Sequence, residues 1–201
     1  LILMLASLAG FYAFQRLLIY PAPAGELPTD LPADIQKIAL EAGYGLLLLP
    51  TAPAGTAHPL VIYTHGNAEL AHWSVKAFRP WQDAGYAVFL VEYPGYGGAD
   101  GATSFESVKA TVLSAFDVVT ARADIDRHTV IAYGRSIGGG GAGLLAANRE
   151  LAALVLESTF SSLPGLIAEK GFPRFLVKDR FETAAIVRTV TMPVFVYHGT
   201  R

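Results

Sequence analysis

The chain opens on an apolar run, LILMLASLAGFYAF, that meets its first charge only at Arg16, after which LLIY resumes. A bilayer-spanning helix needs about 20 mostly apolar residues. Residues 1–20 therefore read as a single-pass membrane anchor, with Arg16 reaching toward headgroups and Tyr20 at the interface. A cleaved signal sequence is the competing reading, for which Ala22-Pro23-Ala24 offers a small-residue site. Arg16 and the renewed apolar stretch would make its hydrophobic region long and broken. The side of the membrane is not indicated. Residues 21–33, PAPAGELPTDLPA, form a Pro-rich, extended connector.

Beyond residue 33 the period changes. IQKIAL and GLLLLP read as a hairpin turning through Ala42–Gly45. PLVIYTHG, AVFLVEY, TVIAY, AALVLE and PVFVY are short, almost wholly apolar runs, the pattern of strands buried on both faces. Helical stretches separate them: AELAHWSVKAFRPWQDAG, a segment from the capping signature Thr103-x-x-Glu106 to about Arg122, and GGGAGLLAANREL. Strands alternating with helices predict an α/β fold, a mostly parallel sheet with helices on both faces and right-handed crossovers. In such a sheet ligands sit at the carboxyl ends of the strands.

Composition narrows the picture. The 201 residues suffice for one sizeable core. A hydrophobic content of 52% and a mean hydropathy of +0.39 fit a chain with a lipid-facing segment. The net charge of -2 and the lack of a basic block argue against a nucleic-acid partner. No cysteine is present, which excludes disulfides, thiolate nucleophiles and Cys-bound zinc. No metal or cofactor is expected, and nothing indicates an oligomeric state. The chain starts on Leu1 inside an apolar run and stops at Arg201 as a loop begins, so it reads as a piece of a longer protein.

The glycine-rich stretch VIAYGRSIGGGGAG, residues 130–143, raises the chemical question. Gly138 to Gly143 satisfies G-x-G-x-x-G, with Glu157 about where a ribose-binding acid would fall. That fingerprint begins where its strand ends, yet here Arg135-Ser136-Ile137 intervene. Gly134-Arg135-Ser136-Ile137-Gly138 instead fits G-x-S-x-G in phase, between a buried strand and a helix. Side chains two residues either side of the serine would collide in so tight a turn, hence Gly134 and Gly138. The turn presents the Ser136 hydroxyl, and Ile137 donates its backbone N–H to a developing oxyanion. Gly139, Gly140 and Gly141 read as close-packing positions of the following helix. His65-Gly66-Asn67, ending an earlier strand, supplies the second expected donor, the N–H of Asn67.

Taken together, QRLLIYP after the anchor, YTHGNAE, EYPGYGGADG, IAYGRSIGGG, LESTFSS, DRF in the insertion and MPVFVYHGT resemble the α/β-hydrolase superfamily, in particular its membrane-anchored branch of depalmitoylating and lysophospholipid-cleaving enzymes. The resemblance implies a serine hydrolase with Ser136 as nucleophile and Asn67 and Ile137 as oxyanion donors. It also implies that the acid follows the HGT-type turn and the base histidine a later loop, so neither has a position in this sequence. The expectation is that this 201-residue chain alone has at most residual activity. His65 and His198 fall where the family has structural residues, and His58 and His128 precede strands at the far edge. His72 and Glu157 are the weak substitutes for base and acid.

Residues 34–201 thus read as a truncated hydrolase domain, with residues 161–191 as a lid-like insertion. There Lys170, Arg174, Lys178 and Arg180 alternate with Phe172, Phe175, Leu176 and Phe181. This pattern suits a lid near anionic headgroups that admits an acyl chain, or an ordinary cap with a solvated basic face. The expected substrate is a lipid or an acylated molecule carrying an ester or thioester. A non-catalytic, membrane-tethered binding protein on the same scaffold is the alternative.

Overall fold

The computed structural model describes residues 2–53 and 55–199. Leu1, where the anchor reading starts, and Thr200 and Arg201, where the last turn ends, lie outside them. Seven strands form one sheet: β1 (Ile35–Ala39), β2 (Tyr44–Leu48), β3 (His58–Thr64), β4 (Ala87–Glu92), β5 (Ile125–Arg135), β6 (Ala153–Glu157) and β7 (Val194–Tyr197). Their order is β1-β2-β4-β3-β5-β6-β7. The β1–β2 hairpin and the β2–β4 pair are antiparallel, and every other pair is parallel.

The apolar runs alternate between two cores because successive strand side chains point to opposite faces. Leu60, Ile62, Phe89 and Val91 pack under α3 (Phe105–Thr120) and α4 (Gly138–Asn148). Val61, Tyr63, Val88 and Leu90 pack on the other face with Phe78 of α2 (Val75–Asp83). Both faces are covered, which is why the middle positions of these strands are apolar. The parallel pairing leaves the ends of β3, β5 and β6 side by side.

Three local expectations shift. The capping box of α3 is one residue later than Thr103–Glu106: Ser104 Oγ accepts from the Ser107 N–H at 3.1 Å, and Ser107 Oγ accepts from the Ser104 N–H at 2.9 Å. Thr103 is unavailable because its hydroxyl donates to the Pro94 carbonyl at 2.7 Å. The stretch from Ala68 does not begin as an α-helix. Ala68 sits at φ 54°, a turn, and a 3₁₀ segment at Ala71–Ser74 leads into α2. β5 also starts earlier than Thr129, so His128 lies within its first half, exposed, rather than before it.

The N-terminal run forms one helix, α1 (Ile2–Ile19), long and apolar enough to cross a membrane. It does not stand apart from the domain. Phe11, Gln15 and Ile19, four residues apart and so on one helical stripe, are buried against the insertion. That insertion folds into α5 (Leu163–Glu169), a 3₁₀ turn at Arg174–Leu176 and α6 (Thr183–Val187). The connector 21–33 has neither helix nor strand.

Candidate active site

Ser136 follows β5 directly and precedes α4, in a backbone conformation at φ 52° that a side chain seldom adopts. Such a residue persists only where its surroundings over-determine it, at a cost of about 1–3 kcal/mol. Three hydrogen bonds do so here. The Ser136 N–H donates to the Glu157 carbonyl at 2.8 Å, and Thr159 Oγ1 donates to the Ser136 carbonyl at 2.7 Å. Thr64 Oγ1 donates its one proton to the Gly138 carbonyl at 2.8 Å, with the Tyr133 carbonyl as the more distant acceptor at 3.2 Å.

The glycines divide by what surrounds them. A Cβ on Gly134 would lie 2.4 Å from the Gly138 carbonyl oxygen, and one on Gly138 would lie 2.0 Å from the Thr64 carbonyl oxygen. On Gly139 it would meet Thr159 Oγ1 at 2.2 Å, and on Gly140 the Phe181 ring at 2.5 Å. Gly141 is different, with nothing nearer than 3.4 Å. Close packing therefore accounts for four of the five, and Gly141 has ordinary contacts.

Asn67, Ser136 and Ile137 line one cavity of about 300 Å³, whose remaining wall is almost wholly apolar. Among the described residues, no protein acceptor engages the N–H of Asn67 or of Ile137. The Asn67 loop is braced on its other sides. Its side-chain Oδ1 accepts from Tyr96 at 3.1 Å and from the Ala68 N–H at 3.0 Å. Burial, then the charge of Glu92, pushes the Tyr96 hydroxyl up to about 12, so it remains a donor at neutral pH. Gly66 donates its N–H to Glu69 Oε2 at 3.0 Å, and the other Glu69 oxygen pairs with Arg135. Arg135 thus ties the serine turn to the Asn67 loop.

His65 lies beneath this loop, wholly buried. Its Nε2 meets Glu92 Oε1 at 2.8 Å and its Nδ1 meets the Gly66 carbonyl at 2.8 Å. The second Glu92 oxygen accepts from the Ala71 N–H at 2.9 Å. One carboxylate therefore joins the loop after β3 to the start of the next helical segment. Glu92→Ala is expected to lower unfolding stability by about 3–5 kcal/mol, because it leaves buried polar groups unpaired. Glu92→Gln, which retains most of the hydrogen bonds, is expected to cost less. Urea unfolding of both variants measures the difference.

The two weak substitutes are not brought to the Ser136 cavity. Glu157 accepts from the Tyr133 hydroxyl at 2.8 Å and lines a separate cavity of about 440 Å³ with Tyr63, Trp73 and Trp81. His72 lies in the 3₁₀ segment, where burial lowers its pKa below the usual histidine value. Its Nδ1 is buried without a hydrogen-bond partner among the described residues. Among the described residues, no His, Asp or Glu lines the cavity that holds Ser136. Among the described residues no cluster of three or more such side chains could hold a metal.

Several participants were not singled out from the sequence: Thr64, Thr159, Glu69, Glu92 and Asp179. Glu92 left a signal, being the one charge inside the apolar run AVFLVEY. Asp179 lies in DRF, a segment of the family resemblance, but its partners are remote: it accepts a two-pronged bond from Arg16, Nε to Oδ2 and Nη2 to Oδ1 at 2.9 Å each, and the Phe105 N–H at 2.9 Å.

A five-strand parallel segment flanked by an antiparallel hairpin, with a serine on a sharp strand-to-helix turn, defines an α/β-hydrolase fold. Residues 55–193 match the family described as Hydrolase_4, serine aminopeptidase, S33. The chain belongs to that family, within the abhydrolase-domain branch of the α/β-hydrolase superfamily. It is 31% identical to the "Uncharacterized protein YfhR" of Salmonella typhi over 89% of this chain and 68% of that protein. It is likewise 31% identical to the alpha/beta hydrolase domain-containing protein aho-3 of Caenorhabditis elegans, over 74% and 45%. The crystal structure of an alpha-beta hydrolase from Vibrio vulnificus superposes with a TM-score of 0.65 at 20% identity, covering 82% of this chain and 63% of that one. The chain thus spans between about half and two thirds of the length of these proteins.

Proposed function

We propose that this protein is a serine hydrolase that cleaves an ester or thioester of a fatty acyl group, with Ser136 as nucleophile. The observation that carries the reading is the convergence of Ser136 and two unengaged backbone N–H groups, of Asn67 and Ile137, on one apolar cavity. Ser136 Oγ attacks the acyl carbonyl, and the carbonyl oxygen gains negative charge as the tetrahedral species forms. The N–H groups of Asn67 and Ile137 receive that charge in a site already shaped for it. Loss of one such donor typically reduces the rate by about 10²–10³. An apolar wall favours an acyl chain over a peptide side chain with polar ends. The base that takes the serine proton and the acid that orients it come from outside the cavity described here.

The test is chemical. A fluorophosphonate probe reacts with an activated serine and leaves a mass tag on it. Incubated with the natural full-length protein, it is expected to label one peptide, that containing Gly134–Gly138, with the tag on Ser136. A tag on another residue would overturn Ser136 as the nucleophile, and no tag would favour the non-catalytic, membrane-tethered scaffold.

A further inference from the structure

The Ser136 cavity is only partly made by the hydrolase domain. Phe11, Leu18 and Ile19 of α1 form one side of it, facing Leu163, Ile167 and Phe172 of the insertion. We propose that α1 is a wall of the acyl-chain slot and sets the chain length accepted, a reading that rests on Ser136 being the nucleophile.

The joint between α1 and the insertion is built rather than incidental. Phe11 stacks on Phe172 with centroids 4.2 Å apart. Gln15, wholly buried, donates to the Leu176 carbonyl at 2.9 Å and accepts from the Lys178 N–H at 2.8 Å. Arg16 holds Asp179 by two hydrogen bonds, and the Lys178 ammonium lies 4.2 Å from the centre of the Tyr12 ring. A buried amide in a membrane helix is costly unless both its ends are satisfied, and here both are satisfied by the backbone of the insertion. The polar break at Gln15-Arg16 therefore marks where the helix docks, not where it leaves the lipid.

Docking also locates the slot relative to lipid. The docked part, Phe11 to Ile19, rises about 12 Å. The part before it, Ile2 to Gly10, rises about 12 Å in turn, against the ~30 Å of a bilayer core. Its side chains Ile2, Leu3, Met4 and Leu5 are exposed, as are Phe14 and Leu17 farther along the helix and Leu18 at the slot. The helix that enters lipid thus carries the slot's mouth with it, and Lys170 lies at the rim. An acyl chain in the same leaflet passes along α1 to Ser136 without exposing its CH₂ groups to water.

The experiment compares kcat/KM of the natural full-length protein on p-nitrophenyl laurate and p-nitrophenyl butyrate. Leu18→Trp fills the slot from the α1 side and is expected to lower the laurate-to-butyrate ratio about tenfold, equivalent to about 1.4 kcal/mol. Leu3→Trp, on the same helix but away from the slot, is expected to leave the ratio unchanged. The butyrate rate reports folding and chemistry. An unmoved ratio in Leu18→Trp, an equal loss on both esters, or an equal shift in Leu3→Trp overturns the proposal. Undiminished hydrolysis in Ser136→Ala instead overturns the serine reading beneath it, so the two failures are distinguishable.

Discussion

Replacing Ser136 by Gly is expected to stabilise the natural full-length protein by about 1 kcal/mol while abolishing its hydrolytic activity. The two effects share one cause. Ser136 is held at φ 52°, where a side chain costs about 1–3 kcal/mol and glycine almost nothing. Glycine gives back about 0.5–1 kcal/mol through the freedom it adds to the unfolded chain, so the net gain is modest. For a domain of this size about 1 kcal/mol corresponds to about 2–4 °C in Tm. Ser136→Ala keeps the side chain and hence the strain, so its Tm should stay near that of the parent. Both variants lose the nucleophile, and hydrolysis of a p-nitrophenyl ester should fall by about 10⁴–10⁶, leaving what oxyanion donors and binding supply. Scanning calorimetry and ester kinetics on the three proteins decide it. A Gly variant less stable than the Ala variant would contradict the strain argument, and a rate within tenfold of the parent would contradict the nucleophile assignment.

That strain was foreshadowed in the sequence, because G-x-S-x-G between an apolar run and a helix has few other uses. The sheet was legible for a related reason. A strand covered on both faces admits almost no polar residue, so PLVIYT, AVFLV and AALVL announce themselves, and their ends place the loops. What escaped was everything that depends on distant partners. Gln15 and Arg16 read as an interruption of an anchor, since the carbonyl of Leu176 and the carboxylate of Asp179 lie more than 150 positions away in the chain. Thr103 satisfied the capping pattern locally, but Pro94 held its hydroxyl, and the box moved to Ser104. The role of Thr64, whose hydroxyl reaches Gly138, was invisible because threonine is an ordinary strand residue. Local pattern thus identified the elements and the tight turn at Ser136; the shell that fixes that turn is made of long-range hydrogen bonds.

The run from Gly138 to Gly141 illustrates that limit and yields the second large effect. Four identical residues in one helix are expected to respond to alanine in opposite ways. In Gly138→Ala the new Cβ would lie 2.0 Å from the Thr64 carbonyl oxygen and 2.6 Å from that of His65. Both are backbone atoms, one at the end of β3, whose last five residues are all buried, and one in the loop that carries Asn67, so neither can swing aside. The clash must separate β3 from the start of α4 and pull the Asn67 and Ile137 N–H groups apart. A loss of more than about 4 kcal/mol belongs to this short class of overpacked backbone contacts, with hydrolysis falling at least as far as for a lost oxyanion donor. Gly141→Ala meets only side-chain carbons, Thr64 Cγ2 at 3.4 Å and Cγ1 of Val108 and Val112 at 3.5 Å. Contact there is ordinary, and alanine improves helix propensity by up to about 1 kcal/mol, so the variant should be at least as stable as the parent and fully active. Urea midpoints of the two variants test the contrast directly. Equal destabilisation would mean that the helix cannot accept a side chain anywhere along this face, and that close approach to β3 is not what the first glycine provides.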